Sequence, residues 1–226
     1  MESNQPLLQV TNLNIRLEDK PLLSDVSFDV FPAERIALVG PSGSGKSLTV
    51  SAIAKLLPRK QSWEISGNIL WENTDLVKAN EKQMLAFRKQ GIAFIPQEAL
   101  CCLNPSMKIG KQLQEIAPNE DPAEWLSEVG IHNPEQAQWS YPHEFSGGMC
   151  QRVVLAIALA SKPKLLLADE FTSALDTVSQ VQILQLLDKL CTRYNTALLA
   201  VTHDKNIAAK LCSKSYRMDK GRLSVA

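Results

Sequence analysis

Arg35-Ile36-Ala37-Leu38-Val39-Gly40-Pro41-Ser42-Gly43-Ser44-Gly45-Lys46-Ser47 is the stretch on which the reading of this chain turns. A short apolar strand runs into a loop spelled GxxxxGK(S/T), the complete phosphate-loop pattern. Behind it Val50, Ile53, Ala54 and Leu57 recur at i, i+3, i+4 and i+7, which predicts a helix stopped by Pro58. The spelling follows from chemistry. Glycines let backbone N–H groups turn inward around phosphate oxygens, where a side chain would block the approach. The helix that follows points its positive N-terminus at the same oxygens. Lys46 is placed to reach the β- and γ-phosphates and the Ser47 hydroxyl to ligate Mg²⁺. Gly40, Pro41, Ser42, Gly43, Ser44, Gly45, Lys46 and Ser47 are therefore the candidate nucleotide-binding residues. A chance Gly/Ser-rich loop would lack the strand before it and the periodic helix after it.

Outward from this loop, Leu165-Leu166-Leu167-Ala168-Asp169-Glu170 brings two carboxylates to the end of a second apolar strand, where ligands of such sheets bind. Asp169 is the candidate Mg²⁺ carboxylate, and Glu170 the candidate general base for a water. Ala197–Val201 reads as another buried strand, and Ile183, Leu186, Leu187, Leu190 and Tyr194 as a helix face before it. Alternating strand and helix units imply a parallel sheet covered by helices. Leu7–Val30 differs: apolar and polar residues alternate there, as on a half-exposed sheet. Ser66–Trp71 and Gly91–Pro96 read as further strands. From Glu98 to Tyr141, Pro105, Pro118, Pro122 and Pro134 punctuate short helical pieces, with Asp121-Pro122-Ala123-Glu124 as a capped helix start. Asp219-Lys220-Gly221 reads as a hairpin turn near the end of the chain.

Composition excludes several classes. Lys+Arg 24 against Asp+Glu 24 gives no net charge, which argues against a dedicated nucleic-acid binder. A 45% apolar and 21% charged content is that of a globular chain, not a disordered one. The longest unbroken apolar run, Val153–Ala160, is eight residues and too short to span a bilayer. Met1–Gln5 has no secretory pattern, so the chain is expected in the cytoplasm. The five cysteines form no CxxC pair, which reads as reduced thiols rather than zinc ligands or disulfides. His132 and His143 have no chemical company.

The residues between and beyond the two phosphate-site strands carry a family resemblance. Phe145-Ser146-Gly147-Gly148-Met149-Cys150-Gln151-Arg152 resembles the signature loop of ATP-binding cassette (ABC) proteins. Gln97 resembles the family's Q-loop glutamine, Ser173-Ala174-Leu175-Asp176 its D-loop, and His203 its switch histidine, all in the family's order. The resemblance implies an α/β fold: a P-loop NTPase core of mixed, mostly parallel sheet flanked by helices, an N-terminal antiparallel β subdomain, and a helical subdomain inserted over 98–145 of a single 1–226 domain. It implies ATP and Mg²⁺ as cofactors and ATP hydrolysis as the activity, with Glu170, His203 and Gln97 catalytic and with Ser47, Gln97 and Asp169 around the metal. It implies that Ser146, Gly147, Gly148 and Asp176 join the nucleotide-binding set, the signature loop facing ATP held by a second cassette. The partners implied are a second ABC ATPase subunit, two integral membrane permease subunits and, indirectly, an extracytoplasmic substrate-binding protein, with no nucleic acid. The implied location is the cytoplasmic face of the inner membrane.

The chain departs from the family pattern in places. An aromatic residue that would stack on adenine near the end of the first strand is missing, and Asn14–Glu18 offers only Leu17. Phe171 replaces a commoner proline, and Cys150 a commoner arginine. Leu103-Asn104-Pro105 and Met149 resemble the peptide/nickel importer branch, and the ending at Ala226 points toward its shorter nickel or metal-chelate members over its peptide ones. Rival readings are a soluble cassette of DNA repair or translation, a small-molecule kinase, and a cassette that dimerises without turnover. The first would carry coiled coils, zinc insertions or fused cassettes, the kinase would not need Ser146-Gly147-Gly148, Gln97 or His203, and the presence of Glu170 and His203 argues against the third.

Overall fold

The structure is a computed structural model that describes residues 5–173 and 175–225. Met1–Asn4 and Ala174 of the D-loop stretch lie outside the described residues. In chain order the elements are β1 Leu8–Leu17, β2 Lys20–Val30, β3 Arg35–Val39, α1 Lys46–Ile53, β4 Trp63–Trp71, β5 Thr74–Asp75, α2 Glu81–Gln90, β6 Ile92–Ile95, α3 Ile109–Ile116, α4 Pro122–Glu128, α5 Pro134–Ala137, α6 Gly147–Ala160, β7 Leu165–Asp169, α7 Thr177–Tyr194, β8 Ala197–Thr202, α8 Lys205–Leu211, β9 Lys214–Asp219 and β10 Arg222–Val225.

Two sheets form. One is antiparallel, in the order β2-β1-β4-β5, and uses the alternating segment read from Leu7–Val30. The other has the order β10-β9-β3-β8-β7-β6. Its neighbours from β9 to β6 pair in parallel, and β10 closes the edge as an antiparallel hairpin with β9. Lys220 and Gly221 make that hairpin's two-residue turn with φ of 46° and 76°, the doubly left-handed geometry that matches strand twist. Gly221 is needed there for a second reason: a Cβ would meet Leu22 O at 2.2 Å.

The continuous apolar strands still keep a period of two. Leu165 and Leu167 of β7 join Ile36, Leu38, Leu199, Val201, Val50 and Ile53 in a core shared with the antiparallel sheet. Leu166 and Ala168 face the other way, into a core with Val153 and Val154 of α6 and Ile183 and Leu187 of α7. Between β6 and α6 lie the short helices α3, α4 and α5. Their Leu113, Trp125 and Leu126 pack into the α6 core. No helix among the described residues is long and apolar enough to cross a membrane.

Helix α1 ends earlier than Pro58 implies. Lys55 takes a left-handed φ of 53°, and its N–H donates to Ala52 O at 3.1 Å while the Leu56 N–H donates to Ser51 O at 2.8 Å. This paired closure terminates a helix on its own. The Lys55 ammonium donates to the carbonyls of Val77 and Ala79, so tertiary contacts hold a lysine where glycine is usual.

The same closure ends α7 at Asn195, φ 53°, with Asn195 N–H to Thr192 O and Thr196 N–H to Cys191 O. Asn195 is exposed. Asn195→Ala is expected to cost about 1 kcal/mol, because alanine resists the left-handed region, whereas Asn195→Gly holds or raises stability. Urea denaturation midpoints of the two variants check this.

Candidate functional site

The loop between β3 and α1 owes its path to two glycines with left-handed φ, Gly43 at 75° and Gly45 at 108°. A Cβ on Gly45 would meet Leu23 Cδ2 at 2.5 Å, so a side chain there would also have to displace that buried leucine. A Cβ on Gly43 would meet no atom within 4 Å, so the loop's surface is left open on that side. Lys46, only 3% exposed, turns its ammonium back into the loop. It donates to Gly40 O at 3.0 Å and Pro41 O at 2.9 Å and lies 3.6 Å from Glu170 Oε1.

The second carboxylate strand arrives beside it. Ser47 Oγ donates to Asp169 Oδ1 at 2.9 Å. Burial pushes the Asp169 carboxyl up, and the Ser47 hydrogen bond and the Lys46 charge oppose that rise. Glu170 leaves β7 with φ 39°, a left-handed conformation unusual for glutamate, and its N–H donates to Val201 O at 3.0 Å. Its Oε2 lies 3.3 Å from Nδ1 of His203, which stands just past the end of β8 and is largely exposed. A cavity of about 340 Å³ is lined by Leu22, Ser42, Gly43, Gly45, Lys46, Ser47, Leu48, Gln97 and Glu170. Gln97 reaches it from the end of β6. Gly40, Pro41 and His203 line an adjoining cavity of about 860 Å³.

The oxygen donors of Ser47, Asp169 and Gln97 are the hard type that Mg²⁺ takes, and Ser47 and Asp169 already meet. The residues fit such an ion. They also fit a phosphate chain, with the buried Lys46 ammonium inside the loop as its partner.

Ser146 caps α6, accepting from Met149 N at 3.3 Å. Gly147 and Gly148 face outward, and an added Cβ on either would meet no atom within 4 Å. This turn does not line the phosphate-loop cavity of the same chain. Asp176 does not line it either. Its Oδ1 caps α7, accepting from Val178 N and Ser179 N at 3.0 Å each. Within this chain Asp176 is a helix cap, and the sequence Asp-Thr-Val-Ser before an apolar-periodic helix is itself a capping signal.

Several contributors were not legible from motifs. Leu22 of β2 lines the cavity, whereas Leu17, the residue offered for adenine, does not. The β9–β10 hairpin backs the phosphate loop: Gly221 N–H donates to Ser44 O at 2.9 Å, and a Cβ on Gly40 would sit 2.1 Å from Met218 O. Buried Gln112 brackets Asn104, accepting from its N–H and donating to its carbonyl, which explains the shape of Leu103-Asn104-Pro105. Cys150 is buried, with its thiol toward Pro142 O, and burial pushes it up. It is a packing residue.

Comparison with known proteins follows the same lines. A family model described as ABC transporter matches residues 23–173. The chain is 41% identical over 98% of its length to the peptidoglycan transport ATP-binding protein YejF of Agrobacterium fabrum, and 41% identical over 96% to the oligopeptide transport ATP-binding protein OppD of Bacillus subtilis. It spans 43% and 64% of those two proteins' own lengths. A bacterial ABC transporter cassette solved as a dimer superimposes with a TM-score of 0.80 at 24% identity, over 96% of this chain and 98% of that one. The cassette cbiO1 of Clostridium perfringens gives 0.80 at 25% identity, over 98% of this chain and 88% of that one. The fold is that of an ABC ATPase cassette.

The cap makes its own prediction. The Ser179 hydrogen bond holds the Asp176 carboxyl below its ordinary value. A depressed folded value means the cap's stabilisation is present above the unfolded value and is lost as pH falls through the folded one. Asp176→Ala is expected to lower the thermal midpoint at neutral pH and to converge with the parent in acid, while Asp176→Asn keeps most of the cap. Thermal melts across pH test it.

Proposed function

The chain belongs to the ABC transporter family and carries its ATPase domain, and from that premise we propose that it is the ATP-hydrolysing subunit of an importer whose cargo is a peptide or oligopeptide. The observation that carries the reading is the convergence of Lys46, Ser47, Gln97 and Glu170 on one cavity, with His203 against Glu170. Strand ends and a glycine turn bring these groups from four separate parts of the chain.

In the proposed mechanism the loop N–H groups and Lys46 bind the β- and γ-phosphates. Mg²⁺, held by Ser47 and Asp169 with Gln97 close by, would neutralise phosphate charge. Gln97 orients the water. Glu170 takes the water's proton as its oxygen attacks the γ-phosphorus and the bond to the β-phosphate oxygen breaks, releasing ADP. His203 holds Glu170 and the γ-phosphate. The Ser146-Gly147-Gly148 turn is a second anion-binding helix N-terminus, facing nucleotide on another cassette. Its outward orientation, away from the chain's own phosphate loop, supports that placement. The partners proposed are a second cassette, two membrane permease subunits that dock on the helical insertion, and a substrate-binding protein beyond them. The chain would work on the cytoplasmic membrane face.

The cargo rests on the relatives. The names of YejF and OppD speak of peptidoglycan and oligopeptide transport, and a dipeptide transport relative, DppD of Bacillus subtilis, is 37% identical over 88% of the chain. They favour a peptide cargo over nickel or a metal chelate.

Glu170→Gln is expected to bind Mg-ATP as the parent does and to hydrolyse it at least about 10²-fold more slowly, the usual size of a lost general base. Parent-like turnover would remove Glu170 from that role. The tagged variant, purified from solubilised native membranes with Mg-ATP, is expected to bring down integral membrane subunits and a second cassette. Recovery without any membrane protein would overturn the importer.

A further inference from the structure

The outward-facing turn at Ser146–Gly148 and the peptide after Glu170 are joined by one buried side chain. Gln151 lies on α6 just past that turn and is 7% exposed. Its Nε2 donates to Phe171 O at 3.0 Å. Its Oε1 is also buried and has no partner among the described residues. A buried amide with half of its hydrogen-bonding capacity unmet costs stability, and an apolar side chain of the same volume would avoid that cost. The carbonyl of Phe171 accepts only a donor, so the amide's orientation is set by that bond.

Glu170 needs such a fastening. Its backbone is left-handed, and the segment is pinned to β8 by Glu170 N–H to Val201 O and closed on itself by the turn bond from Ser173 N–H to Glu170 O. The peptide leaving Phe171 is held by Gln151 from a different element. Phe171 and α6 share one core, so the link is embedded in packing that resists shear.

We propose that Gln151 is a positioning residue for Glu170: its hydrogen bond to Phe171 O holds the left-handed turn that aims the Glu170 carboxylate. The proposal rests on Glu170 being the base in ATP hydrolysis. Gln151 touches no reacting atom, so its loss acts on kcat and leaves nucleotide affinity alone.

The test measures ATP turnover on the assembly that co-purifies with the tagged chain. Gln151→Met matches the volume without a donor, and Gln151→His restores a ring N–H. Gln151→Met is expected to lower kcat about tenfold, the rate equivalent of one hydrogen bond, with KM for ATP within about twofold. Its thermal midpoint stays near the parent's, since an unpartnered polar atom leaves along with the donor. Gln151→His recovers part of kcat. In the Glu170→Gln background Gln151→Met adds no further loss, because the group it positions is already gone. A parent-like kcat in Gln151→Met beside an impaired Glu170→Gln overturns the assignment of Gln151 alone, as does a loss confined to KM or one that adds in full to Glu170→Gln. Parent-like turnover in Glu170→Gln itself overturns the reading beneath it.

Discussion

The buried ammonium of Lys46 is the constraint around which the site is built. At 3% exposure it has lost almost all of its water, and a desolvated cation is tolerated only where acceptors replace that water. Two are carbonyls of its own loop, Gly40 and Pro41, and the third is the Glu170 carboxylate. The first two curl the loop back on its own lysine. The third requires that β7 lie close enough to β3 to deliver a carboxylate, and the β3-β8-β7 order achieves this by placing only β8 between them. A phosphate chain entering the loop offers the same cation stronger anionic partners.

The surroundings hold this arrangement from two sides. On one, the β9–β10 hairpin presses its backbone on the loop, with Met218 O under Gly40 and Gly221 bonded to Ser44. On the other, α6 and α7 cover the Leu166 and Ala168 face of β7, so the segment after Glu170 is packed through Phe171 and tied through Gln151. The helical insertion belongs to this second body of packing. Trp125 and Leu126 share the core of α6, so a push on those helices acts on an element that also carries the Ser146–Gly148 turn.

Motifs with a chemical spelling were readable because their residue types are dictated at short range. The glycines of the phosphate loop, the carboxylates closing Leu165–Ala168, and the cap-proline start at Asp121 each need only local geometry. Features decided by a distant partner were not. Lys55 ends α1 in a left-handed conformation because carbonyls of Val77 and Ala79 take its ammonium, and a reading of Pro58 overshoots the end. Leu22 enters the cavity because the antiparallel sheet sits against the phosphate loop, a placement that periodicity does not carry.

The sequence by itself determined that this is a nucleotide-binding α/β cassette: a phosphate loop between strand and helix, a carboxylate strand, a signature turn and a histidine, in an order with one family reading. Only the tertiary structure decided which of these groups share a cavity and which do not. Lys46, Ser47, Gln97 and Glu170 converge because parallel strands end at one edge of the sheet. The Ser146 turn points away and Asp176 caps its own helix, because a side chain's direction is set by the packing of the element that bears it.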